Sequence, residues 1–148
     1  MKNINIFFYV SIVILMLTAC ESKKTPITTQ YFSSKLSDKG FNIIDITERH
    51  EGKPNKALLA IDPSENYQIE FDNFTIKANL NKAFLNYKDS ITGFGVWYSR
   101  KGISWEILSL TTKSTFSFVS YIENTLIFVT APVEYKQAIV EIFREFGY

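Results

Sequence analysis

His50 is the one histidine in the chain, and a hydroxyl nucleophile needs an imidazole beside it to act at neutral pH. It sits in Glu48-Arg49-His50-Glu51-Gly52. That is a charged segment with no nucleophile elbow near it, and no G-x-S-x-G occurs anywhere in the chain. The segment predicts an exposed loop histidine with an ordinary pKa. Glu70, Asp72 and Glu106 are the carboxylates to weigh for glycosidase-type acid–base work, which needs two in a cleft, one with a raised pKa. Glu70 and Asp72 alternate with Ile69 and Phe71, so the pattern assigns them to the polar, solvated face of a strand. No run of acids has the alternate spacing of a Ca²⁺ loop. Gly93-Phe94-Gly95 is too short to cradle a phosphate. With one Cys and one His there is no zinc site of the usual Cys/His type and no disulfide within the chain. The expectation is no catalytic set, no metal site and no resident cofactor: a protein that is not an enzyme.

Binding residues are easier to find. Trp97 lies on the opposite strand face from Val96 and Tyr98, with Arg100 and Lys101 close behind. Trp and Arg are enriched where partners dock. Trp97, Arg100 and Lys101 are therefore the candidate patch, for a protein or for a sugar stacked on the indole. The competing reading places Trp97 in the core, packed against a helix.

The sole cysteine has a different context. Lys2 is the only charge before Glu21, and Ile4 to Leu17 is apolar apart from Asn5 and Ser11. A short basic start, an apolar stretch and small residues at its end make a secretory signal, and the stretch is short for a permanent span of about 20 residues. It ends in Leu17-Thr18-Ala19-Cys20. This resembles the lipobox of bacterial lipoproteins, an aliphatic residue and two small ones before the cysteine. The resemblance implies diacylglycerol on the Cys20 thiol, cleavage between Ala19 and Cys20, and fatty acylation of the new amino group. It covers residues 1–20 only. It also implies a protein held on the extracytoplasmic side of the cell membrane or of an outer membrane, because two or three acyl chains exceed the marginal binding of one. The thiol is then consumed, which leaves no cysteine for catalysis.

Removing residues 1–19 takes away Lys2 and no acid, leaving 15 basic and 15 acidic residues. A neutral body has no field for a nucleic-acid backbone and no long-range pull toward an anionic surface. No nucleic acid is expected as a partner, and membrane attachment falls to the lipid. Residues 20–28 read as the lipidated cysteine and a flexible polar tether. Residues 29–148 are enough for one domain.

The elements that must position these residues follow from periodicity. A helix is predicted from Thr28 to Lys39, stopped at Gly40. Strands are predicted at 41–47, 57–61 and 67–71, with a charged loop at 48–56 and a turn at 62–66. Ile76, Leu80, Phe84, Tyr87 and Ile91 share one face of a helix spanning about 73–90. Four strands follow. Ser99-Arg100-Lys101-Gly102 reads as the first hairpin turn, and Glu123-Asn124 as a later one because Asn tolerates the left-handed region. Leu126-Ile127-Phe128-Val129 is apolar on both faces, which marks an interior strand. A last helix over 133–146 carries the apolar stripe Tyr135, Ile139, Ile142, Phe143 and Phe146. The order implies an α+β fold, an antiparallel sheet with a C-terminal four-strand meander and helices packed on one face.

The functional expectation is a lipid-anchored envelope protein, non-catalytic, that binds a protein partner. Two alternatives stay open at this point: an immunity or inhibitor protein against an envelope-acting enzyme, and a carbohydrate or peptidoglycan binder using Trp97.

Overall fold

The computed structural model describes residues 24–148. The signal, the cleavage site between Ala19 and Cys20, and the lipidation site at Cys20 lie outside the described residues. Seven strands form one antiparallel sheet in the order β1-β2-β3-β7-β6-β5-β4. The strands are β1 (Asn42–Asp45), β2 (Lys56–Ile61), β3 (Gln68–Asn73), β4 (Val96–Lys101), β5 (Trp105–Thr111), β6 (Thr115–Ile122) and β7 (Thr125–Pro132). Three α-helices complete the fold: α1 (Thr29–Asp38), α2 (Lys77–Ser90) and α3 (Lys136–Glu145). The α+β class and the meander of β4 to β7 are as the sequence indicates.

The doubly apolar strand is the centre of the sheet. β7 lies between β3 and β6 with three strands on either side, so both of its faces need cover. Ile127, Val129 and Ala131 join one core with α1 and α3, through Phe32, Leu36, Ile139, Ile142 and Phe143. Leu126 belongs to a second core with Leu80, Ala83 and Phe84 of α2, and Phe128 packs against it. The expectation of helices on one face therefore holds for α1 and α3 and fails for α2, which covers the opposite face. Alternation of side chains along a fully apolar strand requires this arrangement.

Element ends shift for local reasons. β3 continues through Asp72 and Asn73, bonded to β2 and β7, so α2 starts at Lys77 rather than near 73. α1 is capped by Thr28, whose hydroxyl accepts from the Tyr31 N–H at 3.1 Å. The 41–47 strand is cut short by Asp45, whose carboxylate accepts from the Thr47 N–H and hydroxyl and turns the chain into a 3₁₀ segment at Thr47–Arg49. In the β6–β7 turn the positive φ is carried by Glu123, at 52°, and not by Asn124. The tether is engaged before it reaches α1. Lys24 donates to the Gly147 carbonyl at 2.6 Å, and Ile27 packs on the core, so these two residues of the expected tether are held against the domain.

Candidate functional site

Two places depart from what a folded domain of this kind needs for itself. The first is where β3 passes beneath α2. Residues directly opposite across a ladder share a sheet face. Asp72 faces Ala57 on β2 and Leu126 on β7, and Glu70 lies between Leu59 and Phe128. α2 closes over this face, so the expected solvated strand face is wrong for Asp72, which is 0% exposed. Alternation identified the face correctly, but it could not say what would lie on top of it.

The loop between β1 and β2 brings His50 to the same spot. Thr47 anchors that loop, its hydroxyl accepting from the Ala57 N–H at 3.0 Å. His50 Nε2 donates to Glu70 Oε1 at 2.8 Å and sits 3.3 Å from Asp72 Oδ2. Tyr87, on α2, donates to the same Glu70 oxygen at 2.6 Å and stacks on Phe128 with ring centroids 4.4 Å apart. The Gly52 N–H points at His50 Nδ1 at 3.0 Å, so in the neutral ring the proton sits on Nε2. A Cβ at Gly52 would come within 2.8 Å of the imidazole, so this approach requires glycine. His50 is thus no exposed loop histidine: its side chain is 10% exposed.

The electrostatics follow from the burial. Asp72 is pushed up to about 6 by desolvation, with the Glu70 charge adding to it and His50 opposing. His50 is pushed up to about 10 by the carboxylates of Asp72 and then Glu70, against the pull of its own burial. Tyr87 is pushed well above its usual range by burial and by the charges of Asp72 and Glu70, so it stays a donor. Both oxygens of Asp72 lack a hydrogen-bond partner, because the Nε2 proton is aimed at Glu70. His50, Glu70 and Asp72 are the one set among the described residues that offers three ligand atoms within 4.8 Å of one another. His50, Glu70 and Tyr87 line a cavity of about 550 Å³, together with Arg49, Asn86 and Phe128. Composition gave no sign of a cluster in which His50 stands 20 residues from Glu70 and 37 from Tyr87 in the chain.

The second place is the outer edge of β4. All six of its residues are exposed. Trp97, 48% exposed, Tyr98 and Val96 stand out from it, and Phe94 and Ile103 flank it. Trp97 pairs with Leu110, on the face that α2 covers further in, and Tyr98 pairs with Ser109 on the other face. Neither helix layer reaches this far, so neither set is in the core. Arg100 and Lys101 belong to the strand rather than to a turn. The chain reverses at Gly102-Ile103-Ser104, where Gly102 N–H bonds to the Trp105 carbonyl at 2.8 Å. Trp97, Arg100 and Lys101 thus lie along one strand. Lys101 pairs with Glu106 at 3.5 Å. Glu106 is also within 3.8 Å of Lys88, which accounts for this third carboxylate as an ion-pair partner. Arg100 lies over the Trp105 ring at 5.9 Å, next to Lys24 at 5.3 Å. The Lys24 ammonium is held below its usual range by burial and by Arg100. Among the described residues Arg100 joins no ion pair. Compared with protein-family models, with curated proteins and with solved structures, the chain matches no family, no curated protein and no solved structure.

Proposed function

We propose that this chain is a lipid-anchored, non-catalytic module on the extracytoplasmic side of a bacterial envelope. In this reading it docks an extended, acidic segment of a partner protein along the edge of β4. The carrying observation is that β4 is an open edge with aromatic and apolar side chains on both faces. Sheet edges are aggregation hazards, which proteins blunt with short strands, charge or a covering element. The opposite edge, β1, is managed in that way: it has four residues, begins with Asn42 and ends with Asp45, and α1 packs beside it. β4 has six residues, and its charges, Arg100 and Lys101, stand only at its C-terminal end.

An added strand would satisfy the outer backbone groups of β4, while Trp97 and Tyr98 supply anchors of the kind that dominate binding energy. The unpaired Arg100 beside Lys24 favours a carboxylate on the partner. The anchor fits the same geometry. Lys24 lies at Trp105, next to Arg100, and the four residues from Cys20 to Lys24 reach at most about 14 Å. A lipid on Cys20 keeps this end of β4 close to the membrane surface.

The test is photocrosslinking in cells producing the full chain, with the crosslinking residue at position 97 or, as control, at exposed Leu85 on α2. The expected result is one adduct from position 97 that maps to an extended segment containing Asp or Glu and weakens with Arg100→Glu. Adducts to a second copy of this chain, to glycan, equally from both positions, or from neither would each refute the reading. An envelope-acting enzyme as the captured partner would identify the module as its inhibitor.

A further inference from the structure

We propose that His50, Glu70 and Asp72 form a binding site for one divalent transition-metal ion of the zinc type, independent of the β4 edge. Asp72 carries the argument. Its side chain is wholly buried between Ala57 and Leu126, and neither oxygen has a hydrogen-bond partner. Burying a carboxylate costs several kcal/mol unless it is paired and hydrogen-bonded or bound to a metal. The cation-forming group beside it is His50, whose Nε2 lies 3.3 Å from Asp72 Oδ2 but makes its hydrogen bond to Glu70 at 2.8 Å. Two carboxylates two residues apart on one strand face meet the single positive charge that His50 can supply, and a divalent ion balances both.

The spacing is close to what an ion needs. A tetrahedral ion with bonds of about 2.0–2.1 Å holds its ligand atoms roughly 3.4 Å apart. Here Nε2 is 3.3 Å from Asp72 Oδ2 and 2.8 Å from Glu70 Oε1, and all three ligand atoms lie within 4.8 Å of one another. One nitrogen and two carboxylate oxygens, with no thiolate, suit Zn²⁺ or Mn²⁺ rather than a soft ion. His50 and Glu70 also line the cavity, and the Tyr87 hydroxyl lies 3.2 Å from Nε2.

Binding has a proton cost. Nε2 must give up its proton to coordinate, and that proton leaves to solvent while both carboxylates stay ionised. The ring that remains carries its proton on Nδ1, which the Gly52 N–H faces at 3.0 Å, so the 50–53 turn has to adjust when the ion is held.

The experiment uses the full lipidated chain, metal-stripped and without a histidine tag, since His50 is its only histidine. Zn²⁺ and Mn²⁺ are titrated separately by calorimetry, and bound metal is counted by mass spectrometry. The expectation is one ion per chain for at least one of the two. The melting temperature should rise about 8 °C at a hundredfold excess over Kd. The Gly52 amide resonance should move on binding. Asp72→Asn should fold, melt at or above the metal-free wild type because a buried charge is gone, and bind at least 100-fold more weakly. Glu70→Gln should weaken binding while keeping the fold. Absence of binding by either ion would overturn the site, as would binding that Asp72→Asn leaves intact. So would a melt of metal-free Asp72→Asn well below the wild type, because the carboxylate would then be serving His50 alone.

Discussion

Phe143→Ala tests the layer arrangement quantitatively. Phe143 is 2% exposed, and its ring lies 4.4 Å from that of Phe118 on β6. It stands in the core that α3 closes, with Ile139 and Ile142 on the same face. Removing a buried phenyl ring costs about 3–5 kcal/mol in lost transfer energy and residual cavity. The aromatic contact places this site toward the upper end, by up to about 1 kcal/mol. For a domain of this length each kcal/mol lowers the melting temperature by roughly 3–5 °C, so a fall of about 12–25 °C is expected. Trp97→Ala, on the open edge, should cost no more than about 1 kcal/mol. Thermal and urea melts of the two variants in the lipidated chain provide the comparison, with a β4 crosslink from exposed Ser99 measured on the same samples. Phe143→Ala should lose stability and, once folded at low temperature, keep the crosslink. Trp97→Ala should do the reverse. A Phe143→Ala variant that melts within about 3 °C of the wild type would refute the layer assignment and make the α3 stripe an outer surface.

Other expectations are local. Tyr87→Phe removes the hydroxyl that donates to Glu70 at 2.6 Å. It should cost about 1.5–3 kcal/mol in urea unfolding of metal-free protein, the range for a bond to a charged acceptor, and a change under 0.5 kcal/mol would mean that the bond is idle. Gly95→Ala would place a Cβ 2.1 Å from the Thr111 carbonyl oxygen. β4 amides should then exchange faster than in the wild type while β6 and β7 are unchanged, and equal β4 rates would show that the contact relaxes freely. An alkyne fatty acid fed to cells should label the wild type and not Cys20→Ser, and equal labelling of both would remove the lipid from the account.

The core was legible because it is written in local periodicity. Ile139, Ile142 and Phe143 recur at helical spacing, and Leu126 to Val129 is apolar at every position, so a covered helix and a central strand could both be read from neighbours in the chain. What escaped depends on which element lies over which face. The doubly apolar β7 needed a helix on each side, yet nothing local says that α2 crosses to the face opposite α1 and α3. The same crossing turns Asp72 from a surface acid into a buried one. His50 meets Glu70 and Asp72 only because Asp45 and Thr47 turn the chain after β1, a contact between side chain and backbone that hydrophobic pattern does not register. At the candidate patch the residues were singled out from their types, but the strand runs on through Arg100 and Lys101. The Gly102 amide bonds to the Trp105 carbonyl, and a Cβ at Gly102 would lie 2.3 Å from the Trp105 ring nitrogen, so the reversal falls two residues later than the turn residues alone suggest.

The most direct test of the β4 edge as a docking strand is amide hydrogen exchange on the lipidated chain, with and without the partner segment identified by crosslinking. The account predicts new protection at alternate amides of Val96–Lys101, the pattern of one added strand. That protection should be lost with Arg100→Glu and regained when the acid of the partner segment is changed to Lys. Protection confined to α2 or to the walls of the His50 cavity, or no change along β4 at saturating segment, would contradict it.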